Sequence, residues 1–331
     1  MRERAAQAPR VRVERAFDDA DRRAALLDDT FWSLRDTPKQ ISPTWLYDEV
    51  GSALFEEITR LPEYYPTRAE REILVARAGE IAAAAGADTL VELGSGAAVK
   101  TRLLLDALRA EGTLRRFVPL DVSEEVLRSS SDALARRYAD LEVHGIVGDF
   151  TRHLGAVPTG RSQLVALLGS TVGNLYPEPR ARLYAAVADL LEPDDRFLLG
   201  VDLVKDPARL ERAYDDGAGL TERFVRNALT ALNRELGAGF RQDRFGYRAA
   251  WDAERSWVDI GVVSRVDQSV PLGLLEYELT LAACELLRVE VSTKFTREDV
   301  ERELSDAGLV LERWWTDEAG DFALCLAVPA G

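Results

Sequence analysis

A glycine-rich turn beside an acidic strand end is the part of the sequence best suited to binding a small ligand. The apolar segment Thr89–Leu93 carries Glu92 near its end, passes through Gly94 and Gly96, and leads into a helix near Lys100. The two glycines permit backbone angles and close approaches that a Cβ atom would prevent. Phosphate groups are usually held by helix N-termini and basic groups, whereas a carboxylate at this point favours a cationic ligand.

S-adenosylmethionine meets this requirement, because it carries an ammonium and a sulfonium and has no phosphate. We therefore interpret the segment as the first strand and loop of an S-adenosylmethionine-dependent methyltransferase. The main alternative is a nicotinamide-dependent dehydrogenase, whose loop follows the pattern G-x-G-x-x-G. Val99 occupies the position of the third glycine, which tells against the dehydrogenase.

Further side chains at predicted strand ends extend this cofactor site, because ligands of open α/β sheets bind at the carboxyl ends of the strands. Asp121 ends the second predicted strand, where a carboxylate can accept hydrogen bonds from both ribose hydroxyls. Asp149 and Phe150 end the third, where a carboxylate and an aromatic ring suit adenine. Together with Gly94 and Lys100 they form the predicted cofactor site. Each carboxylate has an alternative role as a helix cap.

The order of the predicted elements indicates an α/β protein. Apolar strands alternate with amphipathic helices between residues 88 and 204, which is typical of a parallel sheet covered on both faces. A helix and a hairpin near the C-terminus complete the element order of a Rossmann-like class I methyltransferase. We predict a methyltransferase core at 69–204 and 295–331, an inserted substrate-binding α+β domain at 16–68 and 205–294, and a flexible N-terminal tail at 1–15.

Composition narrows the range of partners. The chain has 331 residues, of which 47% are apolar, and a formal net charge of −15 that argues against nucleic acid and anionic membranes. No apolar run reaches the roughly 18 residues of a membrane helix, and the first residues lack the apolar core of a signal peptide. Cys284 and Cys325 are expected to be buried thiols, and no Cys/His cluster indicates a metal site. We predict a cytoplasmic monomer that acts on a small molecule.

Lysine is rare in this chain. Of its 42 basic residues only four are lysine, namely Lys39, Lys100, Lys205 and Lys294. A compact ammonium differs from a planar guanidinium, so we hypothesise that some of these positions need lysine itself. Chance retention is the alternative.

Motifs spread over nearly the whole chain resemble those of one enzyme family. They include 47–55 (YDEVGSALF), 61–68 (LPEYYPTR), 169–175 (GSTVGNL), 202–206 (DLVKD), 213–216 (AYDD), 232–237 (LNRELG), 290–295 (EVSTKF) and 315–317 (WTD). The chain is similar through them to the L-histidine Nα-methyltransferases of ergothioneine biosynthesis. This resemblance implies three methyl transfers from S-adenosylmethionine to the α-amine of L-histidine. The implied product is hercynine, and the implied reaction is the first step of ergothioneine biosynthesis.

The resemblance also implies a set of substrate-binding residues. Asn174 and Tyr214 would hold the substrate carboxylate, and Tyr64 would line the pocket. Glu290 and Ser292 would meet the imidazole. They are two positions apart on a predicted strand and therefore face the same side. A carboxylate can accept an imidazole N–H, and a serine hydroxyl can donate or accept at the other nitrogen. A tyrosine or water would take the proton of the amine, and no catalytic residue is assigned.

Two departures from the family pattern leave an alternative open. Ile260 stands where the family commonly has methionine, and a β-branched residue is stiffer. The loop 97–99 lacks the usual hydroxyl residues. The alternative is a methyltransferase of the same fold that acts on tryptophan or another amino acid. Glu290 favours histidine, because an indole offers one donor and no acceptor. A non-catalytic binding protein of this fold is a further alternative.

Overall fold

The computed structural model describes residues 10–158 and 162–331. In these residues the α-helices are α1 Asp19–Ser33, α2 Glu49–Ile58, α3 Pro66–Ala85, α4 Thr101–Ala110, α5 Glu124–Arg137, α6 Pro177–Leu190, α7 Pro207–Tyr214, α8 Leu220–Leu236 and α9 Arg297–Asp306. The strands are β1 Val11–Arg15, β2 Thr89–Leu93, β3 Arg116–Asp121, β4 Glu142–Val147, β5 Gln163–Leu167, β6 Arg196–Asp202, β7 Phe245–Asp252, β8 Trp257–Ser264, β9 Gln268–Leu272, β10 Tyr277–Leu281, β11 Leu286–Thr293, β12 Leu309–Thr316 and β13 Phe322–Pro329.

One large sheet organises the molecule. Its strand order is β1-β4-β3-β2-β5-β6-β13-β12. The first six strands of that order are parallel, and β13 and β12 close the edge as an antiparallel hairpin. Strands β2 and β5 are buried at every residue, because packed side chains cover both faces of the sheet. The predicted α/β class with a Rossmann-like sheet is confirmed.

The prediction of a flexible tail at residues 1–15 is wrong for residues 11–15. Val11–Arg15 form strand β1, which pairs in parallel with β4 from Val11 opposite Val143 to Arg15 opposite Val147. Pairing satisfies backbone groups that an open edge of β4 would leave unpaired. The alternation of valine with charged residues in this strand was the sequence signal for it. Residues 1–9 lie outside the described part of the chain.

Three apolar clusters fill the interior. Two of them lie against the large sheet. The buried members of the third all come from residues 34–65 and 210–289. Such a separate core is what an independent packing unit requires. This packing supports the predicted substrate-binding domain, whose boundaries we retain as a proposal.

The inserted segment leaves and rejoins the core at neighbouring backbone positions. Leu203 forms a parallel bridge with Phe295. The Phe295 N–H donates to the Asp202 carbonyl at 2.9 Å, and the Val204 N–H donates to the Phe295 carbonyl at 3.0 Å. Between these points the segment builds a three-stranded antiparallel sheet, ordered β11-β8-β7, and the hairpin β9–β10. Two strands of this segment, β7 and β9, were not predicted.

The two cysteines differ in exposure. Cys325 is buried in β13 as expected, whereas Cys284 is exposed. The apolar run that contains Cys284 ends with β10 at Leu281, and the cysteine follows in a turn with a φ of 67°. In residues 10–158 and 162–331 no helix is long and apolar enough to cross a membrane.

Candidate active site

A cavity of about 470 Å³, measured with its open mouth, is lined by side chains from the core and from the proposed substrate-binding domain. Among its lining residues are Tyr47, Phe55, Ile58, Tyr64, Gly169, Ser170, Asn174, Tyr214, Phe224, Glu290 and Ser292. All five residues predicted to bind the substrate are in this set. They come from separate segments, so the cavity forms only in the folded chain.

The loop after β5 delivers Asn174 to this cavity. Gly169 and Ser170 adopt left-handed backbone angles, with φ of 76° and 56°. A Cβ atom on Gly173 would lie 2.8 Å from the Thr293 carbonyl oxygen, so only glycine lets the loop pack closely on β11. As a result Asn174 Nδ2 donates a hydrogen bond to Glu290 Oε1 at 2.8 Å.

Strand β11 presents Glu290 and Ser292 to the same cavity, in agreement with their two-residue spacing. Burial raises the pKa of Glu290 to about 7, and the ammonium of Lys294 opposes that rise. Ile260 lies directly opposite Glu290 on β8. It is 1% exposed and belongs to the apolar cluster of the insertion, so it supports Glu290 from the side.

A buried polar network lies behind the cavity wall. Lys294 Nζ donates to Tyr214 Oη at 2.7 Å and to Ser292 Oγ at 2.8 Å, and pairs with Asp202 Oδ2 at 2.8 Å. Asp202 also pairs with Lys205 Nζ at 2.5 Å. Burial alone would raise the pKa of Asp202, but the two ammonium groups outweigh burial and lower it. The network therefore rests on an ionised carboxylate in the interior.

The glycine turn lies at the carboxyl edge of the large sheet. Gly94 and Gly96 have φ of 72° and 49°, and the Phe150 ring lies 3.5 Å from the place of a Cβ on Gly94. Asp121 Oδ2 accepts the Gly96 N–H at 2.7 Å. Ser95 Oγ is buried without a hydrogen-bond partner among the described residues. A glycine cradle, a ring, a carboxylate and an unpaired hydroxyl together suit a polar nucleoside ligand.

Comparison with known proteins places the chain in a family. Residues 26–329 match the family model described as histidine-specific methyltransferase, SAM-dependent. The chain belongs to this histidine-specific methyltransferase family. Relatives of this methyltransferase include the histidine N-alpha-methyltransferase of Mycolicibacterium smegmatis, 52% identical over 92% of this chain and 95% of that protein. The histidine N-alpha-methyltransferase of Mycobacterium tuberculosis is 50% identical over 96% of this chain and 99% of that protein. Ergothioneine biosynthesis protein 1 of Neurospora crassa is 34% identical over 85% of this chain and 32% of its own length.

The family prediction is therefore confirmed, and the structure adds residues of the methyltransferase that sequence reasoning missed. Glu70 on α3 is fully buried, pairs with Lys100 Nζ, and accepts the Gly169 N–H at 2.6 Å. Its signal was a glutamate on the apolar stripe formed by Ile73 and Leu74. Glu70 therefore links Lys100, next to the glycine turn, to Gly169 in the wall of the substrate cavity.

The hypothesis about the rare lysines gains a structural basis in this methyltransferase. Lys100, Lys205 and Lys294 each pair with a buried carboxylate, Glu70 for the first and Asp202 for the other two. The scarcity of lysine was the available signal for the Asp202 network. A compact ammonium can bind three acceptors in different directions, which a planar guanidinium does less readily.

Asp149 and Glu92, two acidic residues near the glycine turn, differ in burial and in hydrogen-bond partners. Asp149 Oδ1 accepts the N–H of Thr151 at 2.8 Å and its hydroxyl at 2.6 Å; these bonds hold a turn, and because no helix begins at Asp149 the helix cap left open for it is not formed. Glu92 is buried and accepts the Thr101 hydroxyl at 2.6 Å. Burial raises its pKa to about 8. In residues 10–158 and 162–331 no group of His, Cys, Asp and Glu side chains is suited to hold a metal ion.

Proposed function

We propose that this methyltransferase transfers three methyl groups from S-adenosylmethionine to the α-amine of L-histidine. The product is hercynine, and the reaction is the first step of ergothioneine biosynthesis. The observation that carries this proposal is the convergence of Tyr64, Asn174, Tyr214, Glu290 and Ser292 on one cavity. The relatives named for action on histidine, at about half identity over almost their full length, support it.

The substrate side of the proposal rests on matching polar groups. Glu290 and Ser292 bind the two imidazole nitrogens, and Asn174 and Tyr214 bind the carboxylate. A buried polar site rejects ligands that leave its groups unpaired. An indole would leave either Glu290 or Ser292 without a ligand group to bind, so the cavity favours histidine over tryptophan.

The cofactor side of the proposal uses Gly94, Lys100, Asp121, Asp149 and Phe150. S-adenosylmethionine supplies a methyl group on a sulfonium when it is bound. The turn at Gly94 lets the backbone approach its methionine part, and Asp121 accepts from the ribose hydroxyls. Phe150 packs on the base. Lys100 Nζ lies 3.4 Å from the point that a Cβ atom on Gly169 would occupy. Gly169 lines the substrate cavity, so Lys100 lies between the proposed sites for the methyl donor and the methyl acceptor.

The rate comes mainly from positioning, since the amine attacks the methyl carbon directly. The attacking amine must be neutral. Burial keeps the pKa of Tyr47, Tyr64 and Tyr214 well above 10. Their hydroxyls therefore stay protonated and orient the substrate, and we assign the role of proton acceptor to water.

We further propose that the protein acts as a cytoplasmic monomer. The monomer is supported by the five proposed substrate-binding residues, all of which a single chain supplies to one cavity. Light scattering coupled to size-exclusion chromatography measures the oligomeric state, and a dimer mass contradicts this part of the proposal.

Mass spectrometry of the products tests the reaction. Purified protein is incubated with S-adenosylmethionine and with L-histidine, L-tryptophan or L-tyrosine in parallel. We expect histidine to gain one, two and finally three methyl groups, while tryptophan and tyrosine stay unmodified. Glu290→Gln is the matched variant, because it keeps the shape of the cavity and removes the carboxylate. Methylation of tryptophan alone, or no methylated amino acid at all, contradicts the proposal.

A further inference from the structure

Two hydroxyl groups in the cavity wall are hydrogen-bonded to each other and to one lysine. Tyr214 Oη and Ser292 Oγ are 2.7 Å apart, and either atom can be the donor in the bond between them. Lys294 Nζ contacts both oxygens, at 2.7 and 2.8 Å, and contacts Asp202 Oδ2 at 2.8 Å. Lys294 is only 1% exposed, so its ammonium is shielded from solvent and is bound by these three acceptors.

Counting hydrogens shows what this arrangement offers to a ligand. A lysine ammonium has three donors and no acceptor, so both hydroxyl oxygens accept from Lys294. Two hydroxyl oxygens at 2.7 Å require a hydrogen between them. One of the two hydroxyl hydrogens is therefore used within the pair, and only the other can point into the cavity. The pair therefore offers the ligand one donor and one acceptor. If Tyr214 donates to the ligand, Ser292 can only accept from it, and if Ser292 donates, Tyr214 can only accept.

We propose that Lys294 is a positioning residue that couples Tyr214 and Ser292, so that a substrate carboxylate on Tyr214 forces Ser292 to accept a hydrogen bond. This inference rests on the proposed function, which places the carboxylate beside Tyr214 and the imidazole beside Ser292. A carboxylate can only accept, so Tyr214 donates to it and Ser292 donates to Tyr214. Ser292 then has only a lone pair for the imidazole, and the imidazole nitrogen beside it must carry a hydrogen.

This constraint fixes the proton count of the bound pair of imidazole and Glu290. With one N–H committed to Ser292, the other imidazole nitrogen and the Glu290 carboxyl share one further proton. Either an imidazolium donates to a carboxylate, or a carboxylic acid donates to a neutral imidazole. Free histidine is mostly neutral at its imidazole at pH 8, and Glu290, with a pKa of about 7, is then mostly ionised. Binding at pH 8 therefore takes up about one proton.

The other charged and titratable groups around Glu290 do not supply this proton. Lys294 directly follows β11. Burial lowers the pKa of Lys294, and the carboxylates of Asp202 and Glu290 oppose that fall; the variant Glu290→Gln separates uptake by this amine from uptake by the carboxyl. Tyr47, Tyr64, Tyr214 and Tyr247 face it from other elements, and burial keeps each of their pKa values well above 10. These tyrosines remain protonated at pH 8 with and without ligand. Asp202 lies behind Lys294 and stays ionised.

Calorimetry measures the proton uptake directly. The protein saturated with S-adenosylhomocysteine is titrated with hercynine at pH 8 in two buffers of different ionisation enthalpy. Hercynine is the chosen probe because its quaternary nitrogen cannot titrate, so the measured protons belong to the imidazole and Glu290. We expect an uptake of about one proton per ligand in the wild-type protein. An uptake near zero overturns the inference.

Variants separate the coupling from simple loss of contacts. In Tyr214→Phe the Ser292 hydrogen is free to point into the cavity, so uptake should fall to near zero along with the affinity. Glu290→Gln should also abolish uptake, whereas uptake through Lys294 would survive this change. Tyr184→Phe is the matched control, since Tyr184 lies in an apolar cluster against the large sheet, away from the cavity lining, and its hydroxyl has no hydrogen-bond partner among the described residues; it should keep the wild-type uptake. Undiminished uptake in Tyr214→Phe overturns the coupling.

Lys294→Met tests the role of the lysine itself. Without the ammonium the two oxygens can separate, so both hydroxyls can donate to the ligand and uptake should fall. A folded Lys294→Met protein with full uptake contradicts the role of Lys294, and if this variant does not fold, Tyr214→Phe still decides the coupling. A protein that methylates histidine but binds hercynine without proton uptake contradicts this inference alone. A protein that does not methylate histidine contradicts the proposed function and this inference with it.

Discussion

The cofactor end of the sheet and the substrate cavity are assembled over very different distances along the chain. At the cofactor end, Asp121 Oδ1 accepts the N–H of Ser123, two residues further on, at 2.9 Å. In the cavity, the hydrogen bond from Asn174 to Glu290 joins residues 116 positions apart. The cofactor end is therefore shaped by turns that follow each strand and by contacts between neighbouring strands, such as the bond from the Gly96 N–H to Asp121, 25 positions further on. The cavity exists only after the inserted segment has packed against the sheet.

The two regions also differ in how charge is held. The Asp121 carboxylate is bound by backbone N–H groups, which carry no net charge. Behind the cavity, Asp202 is 1% exposed and pairs with Lys205 and Lys294. Buried ion pairs are costly to break, because removing one partner leaves the other charge uncompensated. The comparison thus predicts that the cavity wall is the more sensitive region to loss of charge.

The largest effect is expected from Asp202→Asn. This change leaves the ammonium groups of Lys205 and Lys294 in the interior without an ionised partner, and the free energy of unfolding should fall by about 3–5 kcal/mol. Urea denaturation followed by circular dichroism measures it. The control is Asp243→Asn, which removes an exposed ion pair with Arg241 and should leave the unfolding midpoint unchanged. If Asp202→Asn and Asp243→Asn are equally stable, the buried carboxylate is no more sensitive to loss of its charge than the exposed one, and the predicted difference does not exist.

A smaller effect, confined to one region, is expected from Phe150→Ala. Loss of the ring beside Gly94 should weaken binding of S-adenosylmethionine by about two- to tenfold, as for a typical aromatic contact of 0.5–1.5 kcal/mol. The KM for histidine should not change. Glu290→Gln is the reciprocal variant, which should raise the KM for histidine and leave S-adenosylmethionine binding unchanged. Calorimetry and steady-state kinetics measure both quantities. If each variant weakens both ligands, the two regions are energetically coupled and the comparison fails.

The smallest effect is a pH dependence of stability with one contribution from each region. Burial raises the pKa of Glu290 to about 7 and that of Glu92 to about 8, above the value of an unfolded glutamate. The ligand-free folded protein therefore binds more protons than the unfolded chain between about pH 4.3 and these raised values, so the free energy of unfolding should fall as pH rises across that range and level off above about pH 8. Urea titrations between pH 5.5 and 9 measure the slope. Glu290→Gln should remove the contribution that ends near pH 7, and Glu92→Gln the contribution that ends near pH 8. An unchanged slope in both variants would show that neither glutamate causes it.

The strand-end rule explains why much of the cofactor end could be predicted from sequence. Asp121 and Phe150 follow apolar strands, and the carboxyl ends of parallel strands necessarily meet at one edge. The structure places both residues beside the glycine turn. The strand pattern does not show which bonds such a carboxylate makes within the protein: Asp149 holds its own turn through Oδ1, and Asp121 accepts backbone N–H groups through both oxygens.

The cavity could not be derived in the same way. Nothing in the residues around Glu290 indicates that its side chain meets Asn174, because the contact depends on the packing of distant segments. Only the resemblance to a family brought these residues together in advance. Asp202 was missed as the partner of Lys294 for the same reason, although the rarity of lysine marked one side of the pair. Strand β1 was missed because a short charged edge strand has little apolar content.

The adjacent ends of the inserted segment have a consequence for how such enzymes change. Because Leu203 and Phe295 pair with each other, the segment between them leaves and rejoins the sheet at adjacent backbone positions. A segment tethered in this way can lengthen, shorten or be replaced while the strands on either side keep their register. Residues 34–65 share an apolar cluster with this segment, and Asn174 from a loop of the sheet bonds to Glu290, so the part that selects the methyl acceptor draws on all three. Selectivity for a new amine can therefore arise by changing the segment where it lines the cavity, while these contacts and the strands of the sheet are kept.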